Sequence, residues 1–249
     1  MAEPILEVKN LDKRFGALVV SDDVTFDLQP GECHALIGPN GAGKTTLVHQ
    51  ISGLLAPDAG TIHFAGEDVT RLPVHARAAR GLARTFQITA VVPGFTALDN
   101  TALAVQRRSG TSFRFWGNAA KEAALNEPAR EALATVGLEA KAHVPAANLA
   151  HGEKRALELA IALAMQPKAL LLDEPMAGVG HDEGRQLLAV LARLKAHVPM
   201  LLVEHDMHAV FSLADRISVL VYGRILASGD PEAVRADAEV RRAYLGEAA

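Results

Sequence analysis

One cysteine, Cys33, stands in the 249 residues, so no disulfide can form within the chain; lying in an apolar run, it reads as a core residue rather than a reactive thiol. No stretch approaches the ~18 to 20 continuous apolar residues of a membrane-spanning helix. Residues 1–10 carry no signal-peptide pattern, so a cytosolic location is expected. A surplus of basic charge is missing too. Twenty-five lysines and arginines face twenty-nine acidic residues, a net −4, which argues against a general nucleic-acid or anionic-membrane surface. Nor is there an internal repeat, a low-complexity tract or a run of coiled-coil heptads. What remains is a chain with 49 per cent hydrophobic residues, too apolar for disorder and long enough to bury a sizeable core, as one large domain or a core with a subdomain.

The most informative stretch is GPNGAGKTT, Gly38 to Thr46. Its glycines allow a tight turn with N–H groups pointing inward, and those donors, with a helix N-terminus, form a cradle for phosphate oxygens. In this GxxxxGK[ST] pattern Lys44 reaches the β- and γ-phosphates and the Thr45 hydroxyl can ligate Mg²⁺. The context fits: CHALIG (33–38) is an apolar run like a buried strand, and TLVHQISGLL (46–55) has helical spacing. A glycine-rich turn that merely contains a lysine would need no such order of strand, loop and helix.

Upstream, ILEVK (5–9) and VTFDL (24–28) alternate like antiparallel strands. Between them Phe15 precedes Gly16; composition alone makes it a core residue, the alternative being an aromatic that stacks on an adenine ring. GTIHF (60–64) reads as an edge strand. LPVHARAARGLARTFQ (72–87) reads as a helix with Arg77, Arg80 and Arg84 on a solvated face, ahead of Gln87 at a junction with a loop. Residues 98–165 are Ala-rich and of helical period, an inserted helical subdomain; GTSFRFWGN (110–118) holds the only tryptophan, Trp116, beside Phe113, either local core filling or a docking surface. KALLLDEP (168–175) and MLLVEHD (200–206) are buried parallel-type strands, RISVLVYGRILASGD (216–230) is a hairpin turning at Tyr222-Gly223, and Asp230 with Pro231 starts a short terminal helix carrying Val234, Val240 and Leu245 on one side.

Chemistry gathers at the ends of those strands. Asp173 follows four apolar residues, as a strand-end aspartate that holds Mg²⁺ does. Glu174 can orient and deprotonate a water, and His205, which ends the next strand, can reach the same γ-phosphate. LAHGEKRALELAIALA (149–164) begins an apolar-faced helix at Gly152, and an exposed helix N-terminus binds anions. Within one chain that end has no obvious target, because the glycine loop already has its own helix.

Together these pieces resemble the nucleotide-binding subunits of ABC transporters over nearly the whole chain. Phe15 falls at the adenine-stacking aromatic; Gly38, Pro39, Asn40, Gly41, Ala42, Gly43, Lys44, Thr45 and Thr46 at Walker A; Gln87 at the Q-loop glutamine, which touches the metal; Asp173 and Glu174 at Walker B and its base; His205 at the switch histidine. Leu149, Ala150, His151, Gly152 and Glu153 fall at the LSGGQ signature, which in that family completes the ATP site of a partner subunit, so that two subunits sandwich two nucleotides. The resemblance implies an α/β fold, a P-loop NTPase (RecA-like) core with an antiparallel β subdomain (1–97 and 166–230), an inserted α-helical subdomain (98–165) and a C-terminal helix (231–249). It implies ATP and Mg²⁺ at the site, and as partners two transmembrane permease subunits, a second ATPase subunit of the same or another kind, and indirectly a periplasmic solute-binding protein, with no nucleic acid. The chain would sit on the inner face of the cell membrane through its permeases.

ARTFQ (83–87), LAHGEKRALELA (149–160), VEHDM (203–207) and AYLGE (243–247) look more narrowly like ATPase subunits of branched-chain amino acid importers, whose relatives import urea, amides or aromatic acids. Two departures stand out: Ala150 and His151 replace the Ser and Gly of LSGGQ, and Gly180 stands where many members have Asp. They fall on elements facing the partner's nucleotide, while every residue serving the chain's own is of the expected type. Two other classes compete. Soluble ABC ATPases of translation or chromosomes carry paired cassettes or long coiled coils, and a small-molecule kinase has no use for a signature helix; neither addition nor a second-substrate motif is present.

Overall fold

The structure, a computed structural model, describes residues 3–85, 91–109 and 123–245. Two sheets form it. The first has the order β2-β1-β4-β5 and is antiparallel throughout, from β1 (Leu6–Phe15), β2 (Leu18–Leu28), β4 (Ala59–Phe64) and β5 (Glu67–Asp68). Leu6 faces Leu28 and Val8 faces Phe26, so the alternating apolar residues of both strands enter one core. Both strands run beyond 5–9 and 24–28, to a turn at Gly16, and β4 is not an edge, because the two-residue β5 pairs outside it.

The second sheet has the order β10-β9-β3-β8-β7-β6. β3 (Cys33–Ile37), β6 (Leu82–Arg84), β7 (Ala169–Asp173), β8 (Met200–Val203) and β9 (Arg216–Val221) are parallel, and β10 (Arg224–Gly229) closes one edge antiparallel to β9. β3, β7 and β8 are buried along their full length because both faces are covered, which is why they read as unbroken apolar runs. Their side chains alternate between two cores. Leu170, Leu172, Met200 and Leu202 join α3 (Ala97–Arg108), α4 (Ala123–Thr135), α5 (His151–Ala164) and α6 (His181–Lys195). Leu171, Leu201 and Val203 join α1 (Lys44–Ser52) and the first sheet. A third cluster, with Ala35, Ile37, Ile217 and Val219, packs α7 (Met207–Leu213) and the chain's end. Cys33 lies fully buried, and burial pushes its thiol up to about 12, in keeping with a core residue.

The stretch 72–87 corrects the reading of one helix. α2 (Val74–Ala79) stops before Gly81, whose φ of 103° belongs to the left-handed region, and the chain re-enters the second sheet as β6 beside β7. Nor do its arginines share a solvated face. Arg80 pairs with Glu67 at the surface, but Arg77 is buried and donates to the carbonyls of Gln50, Ile51, Thr70 and Leu72. Gln50 and Ile51 lie in the last turn of α1, where carbonyls lack the full set of helical partners (that of Gln50 receives the Gly53 N–H at 3.2 Å) and the helix dipole is negative, so a buried cation is favoured there.

The hairpin does turn at Tyr222-Gly223, both left-handed (φ 48° and 78°), as a two-residue turn between strands requires. The terminal helix is broken: α8 (Pro231–Ala236) and α9 (Ala238–Val240) are separated by Asp237, whose extended ψ of 124° lets its carboxylate cap the second piece, and a π turn follows over Arg241–Leu245. Val234 and Val240 are buried as expected. The side chain of Leu245 lies outside the described residues.

Candidate functional site

Leu36 on β3 and Asp173 on β7 both pair with Val203 on β8, so three parallel strands end at one level. Ligands of open α/β sheets bind at such carboxyl ends. From β3 the chain enters the loop Gly38 to Gly43, which leads straight into α1. Gly43 has φ 106°, and a Cβ there would stand 2.4 Å from the carbonyl oxygen of Val20, so only glycine fits. The first turn of α1 holds no acidic residue and its N-terminus has no side-chain cap. Lys44 is buried, and its Nζ donates to the carbonyls of Gly38 (2.6 Å) and Pro39 (3.0 Å). Burial lowers its pKa, while Glu174 and Asp173 act the other way. Asn40, Gly41 and Thr45 are exposed, Pro39 and Thr46 half-buried, and Ala42 buried.

At the end of β7 Asp173 is buried and paired with Arg84 Nη2 at 2.8 Å. Arg84 arrives from β6 and also reaches Ser52 Oγ at 3.2 Å, at the far end of α1. Glu174 is left-handed (φ 48°), a conformation that costs a non-glycine residue on the order of 1 kcal/mol. Its N–H donates to the Val203 carbonyl at 2.8 Å, which ties the turn to β8. Glu174 Oε1 lies 4.0 Å from Nδ1 of the exposed His205. Phe15 is half-exposed at the tip of β1, with Lys13 Nζ 5.6 Å from its ring centroid, so it is not a core residue.

The other anion-binding end, that of α5, is built differently. Its N-cap is Ala150, whose N–H donates to Glu153 Oε2 at 3.0 Å, and Glu153 pairs with Lys141. The Lys141 ammonium, followed by the Ala150 N–H, holds the Glu153 carboxyl below the usual carboxylate range. The N–H of the buried Gly152 donates to Glu183 Oε2 of α6 at 3.1 Å. A Cβ on Gly152 would stand 2.4 Å from that oxygen, so the glycine is what admits Glu183. The His151 ring lies against Gly178 in the loop before α6.

The structure therefore gathers Lys44, Asp173, Glu174 and His205 on one rim. Gln87, Phe113 and Trp116 lie outside the described residues. Among the described residues no group of three or more His, Cys, Asp or Glu side chains is spaced to hold a metal ion by itself. No described helix is long and apolar enough to cross a membrane. Glu183, which the sequence did not single out, takes part as well, and so do Arg84, expected on a solvated face, and Glu204, expected only at the end of a strand, because each acts on a residue far along the chain or on backbone groups.

Residues 21–177 match the ABC transporter family. The chain belongs to that family. This ABC cassette matches a second, narrower family over residues 224–249, the branched-chain amino acid ATP-binding cassette transporter. Over all of both chains it is 39 per cent identical to the high-affinity branched-chain amino acid transport ATP-binding protein BraF of Pseudomonas aeruginosa, and equally to LivG of Escherichia coli. The fructose import ATP-binding protein FrcA of Rhizobium meliloti is 35 per cent identical over 92 per cent of this chain and 90 per cent of its own. Among solved structures, an ABC transporter cassette in its ADP conformation superposes with a TM-score of 0.85 at 29 per cent identity, over 99 per cent of this chain and all of that one. A nucleotide-free cassette fits equally well over 98 per cent of this chain. The cassette is a nucleotide-binding ATPase, with a fold of the expected α/β class.

Proposed function

We propose that this ABC ATPase powers an importer of branched-chain or other hydrophobic amino acids. The identity of 39 per cent to BraF and LivG along the entire chain carries this reading. The match of residues 224–249 to the branched-chain cassettes supports it from a segment outside the ATPase core motifs. FrcA, at 35 per cent, marks how close an importer of unlike cargo lies.

In this reading the core of residues 1–97 and 166–230 binds ATP and residues 98–165 form the helical subdomain. The cassette works with two membrane permeases and a second ATPase, a periplasmic protein delivers solute, and the cassette sits on the inner membrane face through its permeases. Phe15 stacks on adenine. The backbone of Gly38 to Thr46 and the Lys44 ammonium hold the phosphates; the inward ammonium, already bound to loop carbonyls, supports that role. Glu174 orients and deprotonates the attacking water, and His205 and Gln87 contact the γ-phosphate region. Hard oxygen donors suit Mg²⁺, so the Thr45 hydroxyl and the Asp173 carboxylate, with Gln87, are the groups to hold it. Bound there, it would neutralise phosphate charge. Ala150, His151, Gly152 and Glu153 face the nucleotide of the partner ATPase, which we take to be a different chain, because the altered residues fall on this end and not around Lys44.

Uptake of radiolabelled leucine by cells carrying Lys44→Ala in place of the wild-type chain tests the cargo. Leucine uptake should collapse while fructose and urea uptake stay unchanged. Unchanged leucine uptake together with loss of another solute would overturn the assignment.

A further inference from the structure

Glu204 is the last residue before His205, and its side chain is fully buried. Both of its oxygens are engaged by backbone. Oε1 accepts from the Met176 N–H at 2.8 Å, and Oε2 accepts from the N–H groups of His205 (2.9 Å) and Asp206 (3.2 Å). Oε2 also stands 3.7 Å from His205 Nδ1. One carboxylate thus grips the turn after β7 and the turn after β8 together.

The turn after β7 is held to the end of β8 at two points: the Glu174 N–H on the Val203 carbonyl and the Met176 N–H on Glu204. Between them the backbone passes through the left-handed Glu174, a conformation that persists only where its surroundings impose it. The other oxygen of Glu204 holds the backbone of His205, whose ring faces Glu174. Asp206, the third donor's residue, caps α7 by accepting from the His208 N–H at 2.9 Å, so the turn after β8 is anchored on its far side as well. A core needs no carboxylate in this place. Burying one is costly unless donors satisfy it, and here the donors are the backbone of the two catalytic turns.

We infer that Glu204 is a positioning residue for hydrolysis: its carboxylate latches the turn carrying Glu174 to the turn carrying His205, setting the distance between base and switch. It touches no nucleotide. The inference rests on the roles proposed above for Glu174 and His205.

Glu204→Gln preserves shape but turns one oxygen into an N–H₂ group that faces a backbone N–H, so one arm of the latch opens. Displacements of about 1 Å in a catalytic group can cost ~10²-fold in rate. Turnover per folded molecule should therefore fall between ~10- and ~10²-fold while ATP affinity, read with a fluorescent ATP analogue, stays within about twofold. A carboxylate of merely structural worth would lower the melting temperature and leave kcat per folded molecule unchanged, and that result overturns the latch. If Glu204→Gln does not accumulate as folded protein, Glu204→Asp keeps the charge and shortens the reach: the same split between kcat and affinity supports the latch, and unchanged kcat overturns it. Glu174→Gln, run alongside, separates the two claims. Its silence beside a normal Glu204→Gln leaves the base standing and removes the latch; wild-type turnover in Glu174→Gln removes the role of Glu174 and the latch with it.

Discussion

Two helix N-termini in this cassette are suited to anions, and they are finished in opposite ways. α1 begins with glycines and a lysine, no acidic residue in its first turn and no side-chain cap, so its amides and its cation are offered together. α5 begins with Ala150 and meets carboxylates of its own chain: Glu183 on the Gly152 N–H, and Glu153 on the Ala150 N–H. Both ends carry the same partial charge from the backbone dipole. The first adds a buried cation, so an anionic group could be held there within one chain. The second is already neutralised by carboxylates, so an incoming phosphate must compete with Glu183. A helix N-terminus alone does not make a nucleotide site; the side chains around it decide whether the site is open.

The sharpest way to break the comparison is at α1. Lys44→Ala removes the cation and should abolish measurable ATP binding at micromolar nucleotide, whereas Glu174→Gln should keep binding and lose ~10²- to 10⁴-fold in turnover, the usual worth of a general base. Equilibrium binding and steady-state hydrolysis read the two separately, and equal loss of affinity in both variants would contradict the division of roles. Next in size is the buried pair beneath that end. Arg84→Met leaves the Asp173 carboxylate without its 2.8 Å partner. Breaking a buried pair typically costs ~3–5 kcal/mol, so the melting temperature should drop by several degrees, and Asp173→Asn in the same chain should restore much of it.

A smaller effect is expected at α5. Glu183→Gln replaces a charge-assisted hydrogen bond with a neutral one, a change on the order of 1 kcal/mol in stability. ATP affinity at the Lys44 site should be unaltered, because Glu183 acts on the other end. A shift in that affinity as large as the one in Lys44→Ala would mean that the two ends are not independent. The smallest change is Glu153→Gln. The carboxyl of Glu153 is held below the ordinary 4.5, so its contribution is present above about pH 4.5 and disappears as pH falls through the depressed value. Wild type and variant should therefore differ slightly in melting temperature at pH 7 and converge at low pH; a gap that widens on acidification would contradict the cap.

The α1 end was legible because everything it needs is consecutive: strand, glycines, lysine and helix occupy residues 33–52. Arg84 and Asp173 are 89 residues apart, Gly152 and Glu183 are 31 apart, and no local pattern links them. The same limit explains the arginine run. Helical spacing placed Arg77, Arg80 and Arg84 on one wet face, yet Gly81 divides them between a helix and a strand, and backbone carbonyls, two of them in the last turn of α1, draw Arg77 inward while the carboxylate of Asp173 draws Arg84. Phe15 illustrates the reverse case, an aromatic that composition assigns to a core and the tip of a hairpin leaves half-exposed.

By itself the sequence determined the strand-loop-helix at Lys44, the unbroken apolar strands that end in Asp173 and near His205, the hairpin turn at Tyr222-Gly223 and the cap at Asp230, because each depends on neighbours within a few residues, where sterics and hydrogen bonding are set by residue type. Only the tertiary structure decided that Arg84 should neutralise Asp173, that Glu183 should cover the end of α5, and that Glu204 should bind two turns at once. The first and the last exist because parallel strands bring distant ends of the chain to one level, and the second because α5 packs on α6; the cost of burying an unpaired charge then selects the partners.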